Sequence, residues 1–142
     1  MIDIIIKTPE ECMNLGEKIS SKLKPRDILS LEGELGAGKT TFVKGILKGL
    51  NYKHEVTSPT FTLINEYEAD VKVIHIDFYR ENDTKRWEII GLNEYLYSDN
   101  IIILEWGNLV KDLLPDDIIS IFFEHFELNK RRIFSNYELF SH

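Results

Sequence analysis

The residues with the clearest chemical potential lie between positions 33 and 40, which read Gly-Glu-Leu-Gly-Ala-Gly-Lys-Thr. The run matches GxxxxGK[ST]. Gly33, Gly36 and Gly38 stand where a backbone must take positive φ or approach a bulky anion closely. A chain bent in this way turns successive amide N–H groups inward as a nest for phosphate oxygens. Lys39 adds a full positive charge for the β- and γ-phosphates of a nucleotide, and Thr40 adds a hydroxyl ligand for magnesium. The expected cofactors are therefore ATP and Mg2+. No guanine-reading Asn-Lys-x-Asp pattern occurs, which favours ATP over GTP.

Phosphoryl chemistry also needs an acidic group near the metal, commonly at the end of an apolar strand. Val71 to Ile76 ends in Asp77, and Ile101 to Leu104 ends in Glu105. Either carboxylate suits a water-mediated hold on magnesium or the orientation of an attacking water. Either also suits a cap or a charge at a strand end. With Lys39, they are the catalytic candidates. Thr57-Ser58-Pro59-Thr60 reads equally as a switch segment sensing the γ-phosphate and as a hydroxyl-rich turn before a strand. His75 reads as an ordinary strand residue, Trp106 as rim packing, and Arg80 and Arg86 as partners in surface ion pairs.

These residues need elements to hold them. Ile28 to Leu31 is a short apolar run entering the glycine-rich segment, hence a buried strand. Phe42, Ile46, Leu47 and Leu50 follow at helical spacing. Thr8-Pro9-Glu10-Glu11 is a capping-box pattern, and Cys12, Leu15, Ile19 and Leu23 continue it as one apolar face, predicting a helix over 9–23. Residues 2–6 have strand composition, and 61–67 with 71–76 suggest a hairpin. Residues 83–96 read as helical pieces broken at Gly91, 101–104 as a buried strand, and 118–123 with 132–139 as a final pair. Strands alternate with helices early and pair directly late. The expected fold is α/β: a three-layer sandwich like that of P-loop nucleotidases, its central mixed sheet parallel near the loop and antiparallel at one side. Residues 1–142 are expected to form one domain.

Composition narrows the partners. A net charge of −7 gives no overall attraction to nucleic acid, whose non-specific binding rests on cations. The basic triplet Lys130-Arg131-Arg132 reads as a solvated turn between two strands. The single Cys12 fits a reducing compartment. No run reaches the roughly 18 to 20 apolar residues of a membrane span, and the first residues are too few and too acidic for a signal peptide. A cytoplasmic location without a membrane partner is expected.

Taken together, these blocks make the sequence resemble the TsaE (YjeE) family, small bacterial ATPases of tRNA threonylcarbamoyladenosine synthesis. The resemblance runs through Leu15-Gly16-Glu17, the loop from Gly33 to Phe42, Ser58-Pro59-Thr60-Phe61-Thr62-Leu63, His75-Ile76-Asp77-Phe78-Tyr79-Arg80 and Glu105-Trp106. The loop alone is shared by many families; the later blocks in this order are far more specific. The resemblance implies that Gly36, Ala37, Gly38, Lys39, Thr40 and Thr41 wrap the ATP phosphates, and that Thr40 and Glu105 place magnesium. It implies that Asp77 is a second essential carboxylate near the attacking water, that 57–60 is the switch-like segment, and that Thr8 and Pro9 border the adenine. It further implies two partner proteins, TsaB and TsaD, of which TsaD modifies the adenosine next to the anticodon. ATP hydrolysis would reset that complex between turnovers, and tRNA would be met indirectly through it, a direct tRNA contact being disfavoured by the net charge. One departure is Gly107, where the family often has proline after Glu-Trp.

The chain is too short for separate substrate and lid domains, so water exclusion and an arginine must come from elsewhere. Hydrolysis is accordingly expected to be weak alone and dependent on partners. The rival readings are a small-molecule kinase, for which no arginine-rich lid helix is visible, and a non-catalytic nucleotide-dependent binding module.

Overall fold

A computed structural model describes residues 2–34, 38–56 and 63–135, with only the backbone at Ile2. Gly36, Ala37 and the 57–62 segment therefore lie outside the described residues. In chain order the elements are β1 (Ile2–Ile6), α1 (Pro9–Ser20), β2 (Ile28–Gly33), α2 (Lys39–Gly49), β3 (Ile64–Tyr67) and β4 (Val73–Asp77). Then follow α3 (Thr84–Ile90), α4 (Leu92–Leu96), β5 (Ile101–Glu105), a 3-10 helix (Gly107–Leu113), β6 (Ile119–Phe126) and β7 (Lys130–Ser135). The strands form one seven-stranded sheet in the order β1-β7-β6-β2-β5-β4-β3.

Strand alternation sorts the apolar side chains onto two faces. Leu29, Leu31, Ile101 and Ile103 share one core with α1 and α2. Ile28, Ile102, Leu104, Ile74 and Ile76 point the other way and share a second core with Trp87 of α3, Leu92 and Leu96 of α4, and Val110. The result is the expected three-layer α/β arrangement. Strands buried on both faces explain why 101–104 reads as an unbroken apolar run.

The pairings of β2 with β5, β2 with β6 and β4 with β5 are parallel. The β3–β4 hairpin and the β6–β7 pair are antiparallel, as their short connections require. The sheet is thus mixed as expected, with antiparallel strands at both edges rather than at one side alone. The second antiparallel side begins with the β6–β7 pair and is extended by β1, which crosses to pair with β7.

Local chemistry sets the helix ends. Thr8 Oγ1 accepts from Glu11 N at 3.1 Å, while Glu11 Oε2 reaches back to Lys7 N at 2.6 Å. Helix α1 stops at Ser20 rather than at residue 23: the Ser20 and Ser21 hydroxyls donate back to the carbonyls of Glu17 and Lys18. Leu23 is nonetheless buried, as its spacing suggested. Helices α1 and α2 cross closely because Gly16 and Gly45 carry no side chain. A Cβ at Gly16 would run into the Phe42 carbonyl oxygen, and one at Gly45 into that of Met13. Gly91, at φ 92°, separates α3 from α4 as expected.

The basic triplet is not in a turn. Lys130 to Arg132 belong to β7, and the turn is formed before them, with Glu127 and Asn129 at φ 51° and 65°. Arg132 instead ties the edge together, meeting Asp3 of β1 through two 3.0 Å hydrogen bonds and Glu124 of β6 at 3.1 Å. Among the described residues no helix is long and apolar enough to cross a membrane.

Candidate active site

The parallel strands β2, β5 and β4 end together, and in open α/β sheets ligands bind beyond such carboxyl ends. The register aligns Leu31 with Glu105 and Glu105 with Asp77. Alternation then decides direction. Glu105 is in step with Ile101 and Ile103, and Asp77 with Val73, so both carboxylates project on the α1–α2 face. Helix α2 starts soon after β2, with Lys39 and Thr40 as its first two residues. Lys39, Asp77 and Glu105 are thereby brought together, as the sequence suggested.

Lys39 is buried, its side chain 4% exposed against 7% for Glu105. Its ammonium donates to the Gly33 carbonyl at 2.7 Å, lies 3.7 Å from Glu105 Oε1, and sits 4.8 Å from the centre of the Trp106 ring. Burial lowers the pKa of Lys39, and the charges of Glu105 and Asp77 only partly offset it. Burial likewise works against ionisation of Glu105. There the hydrogen bond and charge of His75, with the contribution of Lys39, outweigh it and hold the carboxyl below its ordinary value. His75 Nε2 is 2.7 Å from Glu105 Oε2. Asp77, also buried, accepts from the Tyr79 backbone N–H at 2.8 Å through Oδ1.

Around this cluster the backbone is unusual. Trp106 takes φ 60°, a conformation costly for a non-glycine residue and common where function fixes geometry. Its ring meets that of Tyr79 at 4.9 Å. Gly38, at φ 103°, is the N-cap of α2 and has no side chain to accept from the first-turn amides, so among the described residues no side-chain oxygen caps the positive end of the helix dipole. This end can stabilise an anion.

Beside Gly38 opens a cleft of about 350 Å3 lined by Pro9, Cys12, Thr41, Asn129 and Arg131. Capped α1 brings Pro9 there, and the Cys12 thiol lies 3.5 Å from the Gly38 carbonyl. Burial pushes the Cys12 pKa up to about 11. Among the described residues no group of three or more His, Cys, Asp or Glu side chains could hold a metal by itself. Glu105 is a carboxylate of the kind a hard cation takes as one oxygen ligand, and Thr40 stands next to Lys39 at the start of α2.

Residues 6–133 match the family model of threonylcarbamoyl adenosine biosynthesis protein TsaE. The chain belongs to the TsaE family. A TsaE protein of Aquifex aeolicus is 42% identical over 134 residues, covering 92% of each chain. One from Bacillus subtilis is also 42% identical, over 114 residues, covering 80% of this chain and 71% of that protein. The crystal structure of Bacillus subtilis YdiB superposes with a TM-score of 0.81 at 33% identity, covering 93% of this chain and 82% of that one.

Within this TsaE framework, Lys39, Asp77 and Glu105 form one cluster, and Pro9, Gly38 and Thr41 line one cleft. Gly36, Ala37 and 57–60 lie outside the described residues. The sequence reads His75 as an ordinary strand residue and does not by itself place Asn129 or Arg131. His75 shares its strand face with Asp77, a period-two signal, but its bond to Glu105 needed the β4–β5 pairing. Asn129 and Arg131 line the same cleft as Pro9, at the end of the sheet where β7 pairs with β1.

Proposed function

We propose that this protein is the ATP-binding and ATP-hydrolysing subunit of tRNA threonylcarbamoyladenosine modification, acting on a TsaB–TsaD complex in the cytoplasm. Relatives of this family carry names assigning them to that modification. The observation that carries the ATPase reading is the buried Lys39–Glu105 pair at the uncapped start of α2, with Asp77 alongside.

The Lys39 ammonium and the α2 amides would bind the triphosphate, and Thr40 and Glu105 would hold magnesium. When bound, the metal supplies Lewis-acid neutralisation of phosphoryl oxygens. Lys39 is under-compensated in the free protein, its pKa lowered by burial, so a polyanion would find an electrostatic deficit to fill. Glu105, held below the ordinary carboxylate range, is ionised and ready to act as an oxygen ligand at neutral pH. Asp77, fixed by the Tyr79 amide, is the group to orient the attacking water and take its proton. The cleft beside Pro9 is suited to the nucleoside end. Water exclusion and a stabilising arginine would come from the partner complex, and tRNA would be met only through it.

Steady-state ATPase rates with magnesium, measured with and without TsaB and TsaD, test the proposal. Slow turnover alone and a clear rise with partners is expected. An unchanged rate would overturn the partner dependence, and failure to take up labelled ATP would overturn the ATP reading itself.

A further inference from the structure

Glu105 divides its two oxygens. Oε1 faces the Lys39 ammonium at 3.7 Å, whereas Oε2 is 2.7 Å from His75 Nε2. An ionised carboxylate can only accept, so Nε2 carries the hydrogen in this contact. The imidazole itself is 1% exposed and enclosed by the sheet and the α1–α2 layer. Its other nitrogen, Nδ1, is buried and has no hydrogen-bond partner among the described residues. Leaving that atom unpaired costs free energy, and an apolar strand residue here would avoid the cost. Among the described residues, the one polar contact the ring makes is with Glu105. β4 is otherwise apolar from Val73 to Ile76, so packing alone gives no reason for a histidine.

We propose that His75 is a positioning residue: its Nε2–H pins Oε2 of Glu105 and leaves Oε1 as the oxygen turned toward Lys39 and the metal. The inference rests on the ATPase reading above and deepens it. Residues that orient a metal-binding side chain set affinity without touching the ion, and their loss costs about 10- to 100-fold. His75 therefore governs how much magnesium the site needs and how well the site turns over. It has little part in the grip on the nucleotide, which comes from Lys39 and the α2 amides.

The test uses full-length His75→Phe and His75→Gln with the partner complex present. Phenylalanine keeps the ring and loses the donor; glutamine places an amide N–H near the Nε2 position. His75→Phe should lower kcat and raise the half-saturating magnesium by about 10- to 100-fold, while KM for ATP moves less than about threefold. His75→Gln should recover most of both losses. Manganese(II) titration of the protein–nucleotide complex by electron paramagnetic resonance supplies a readout independent of turnover, with weakened binding expected only in the phenylalanine variant. Thermal melts identify misfolded protein; should His75→Phe not fold, the manganese affinity of the folded His75→Gln, expected near wild type, carries the test. Wild-type metal dependence in His75→Phe, or metal affinity in folded His75→Gln reduced by 10-fold or more, overturns the proposal while leaving the ATPase reading intact. Absence of nucleotide binding by the wild type overturns both.

Discussion

Arg132 and Lys39 each meet acidic side chains, on very different terms. Arg132 is about one-third exposed, bridges Asp3 and Glu124 across three strands, and lies over the Phe134 ring at 4.2 Å. Water solvates all three charges, and forming the bridge demands little desolvation. Lys39 and Glu105 are almost wholly buried, and both lose most of their hydration. A buried pair of this kind is often no more stabilising than apolar residues of the same size. The edge cluster joins β1, β7 and β6 at the surface; the buried cluster holds charge where the proposed phosphoryl chemistry would need it. The contrast teaches that the costlier arrangement marks the site.

Replacing the buried pair as a unit should separate the two roles most sharply. Lys39→Met with Glu105→Leu is expected to abolish turnover, at least about 1,000-fold, yet to be more stable in urea unfolding than Glu105→Ala alone, since no buried ammonium then loses its partner. A clearly less stable double variant would break the comparison. Glu105→Ala alone, which takes the Glu105 carboxylate from both Lys39 and His75, should cost about 3 kcal/mol in the ligand-free protein and thus be less stable than the double variant. Acid sensitivity is a smaller effect. Because the Glu105 pKa is lowered on folding from an ordinary 4.5, its contribution is complete above that value and fades as pH falls through the lower folded value. Glu105→Gln should therefore lose stability less steeply below about pH 4.5 than the parent, as read by pH-dependent urea midpoints. The smallest effect is expected at Arg132→Ala: a slight drop in melting temperature and unchanged turnover.

The two clusters also differ in how far the sequence revealed them. The GxxxxGK[ST] loop and the apolar run ending in Glu105 are contiguous, so spacing alone pointed to Lys39 and Glu105. Asp77 was visible as a strand end, and the break at Gly91 as a residue suited to positive φ. Relations across strands were not visible. The His75–Glu105 bond joins residues 30 positions apart, and the Arg132–Asp3 bridge spans 129. Arg132 was read as part of a turn because a short basic stretch between two strands looks solvated. Only the β1–β7 pairing shows its carboxylate partner. The helix predicted to residue 23 stopped early because serine hydroxyls compete with the backbone, a preference that apolar spacing does not register.

The left-handed turn at Trp106 gives the molecule a built-in optical probe. The chain has only two indoles. Trp87 is sealed against Phe78 in the core beneath α3 and α4, with its Nε1–H donated to the Glu81 carbonyl, so its emission has little cause to vary. Trp106 rests against a cation and a tyrosine at the rim. Any change in fluorescence when a ligand draws the Lys39 ammonium away therefore traces to one ring, and the protein reports on its own occupancy without an added dye.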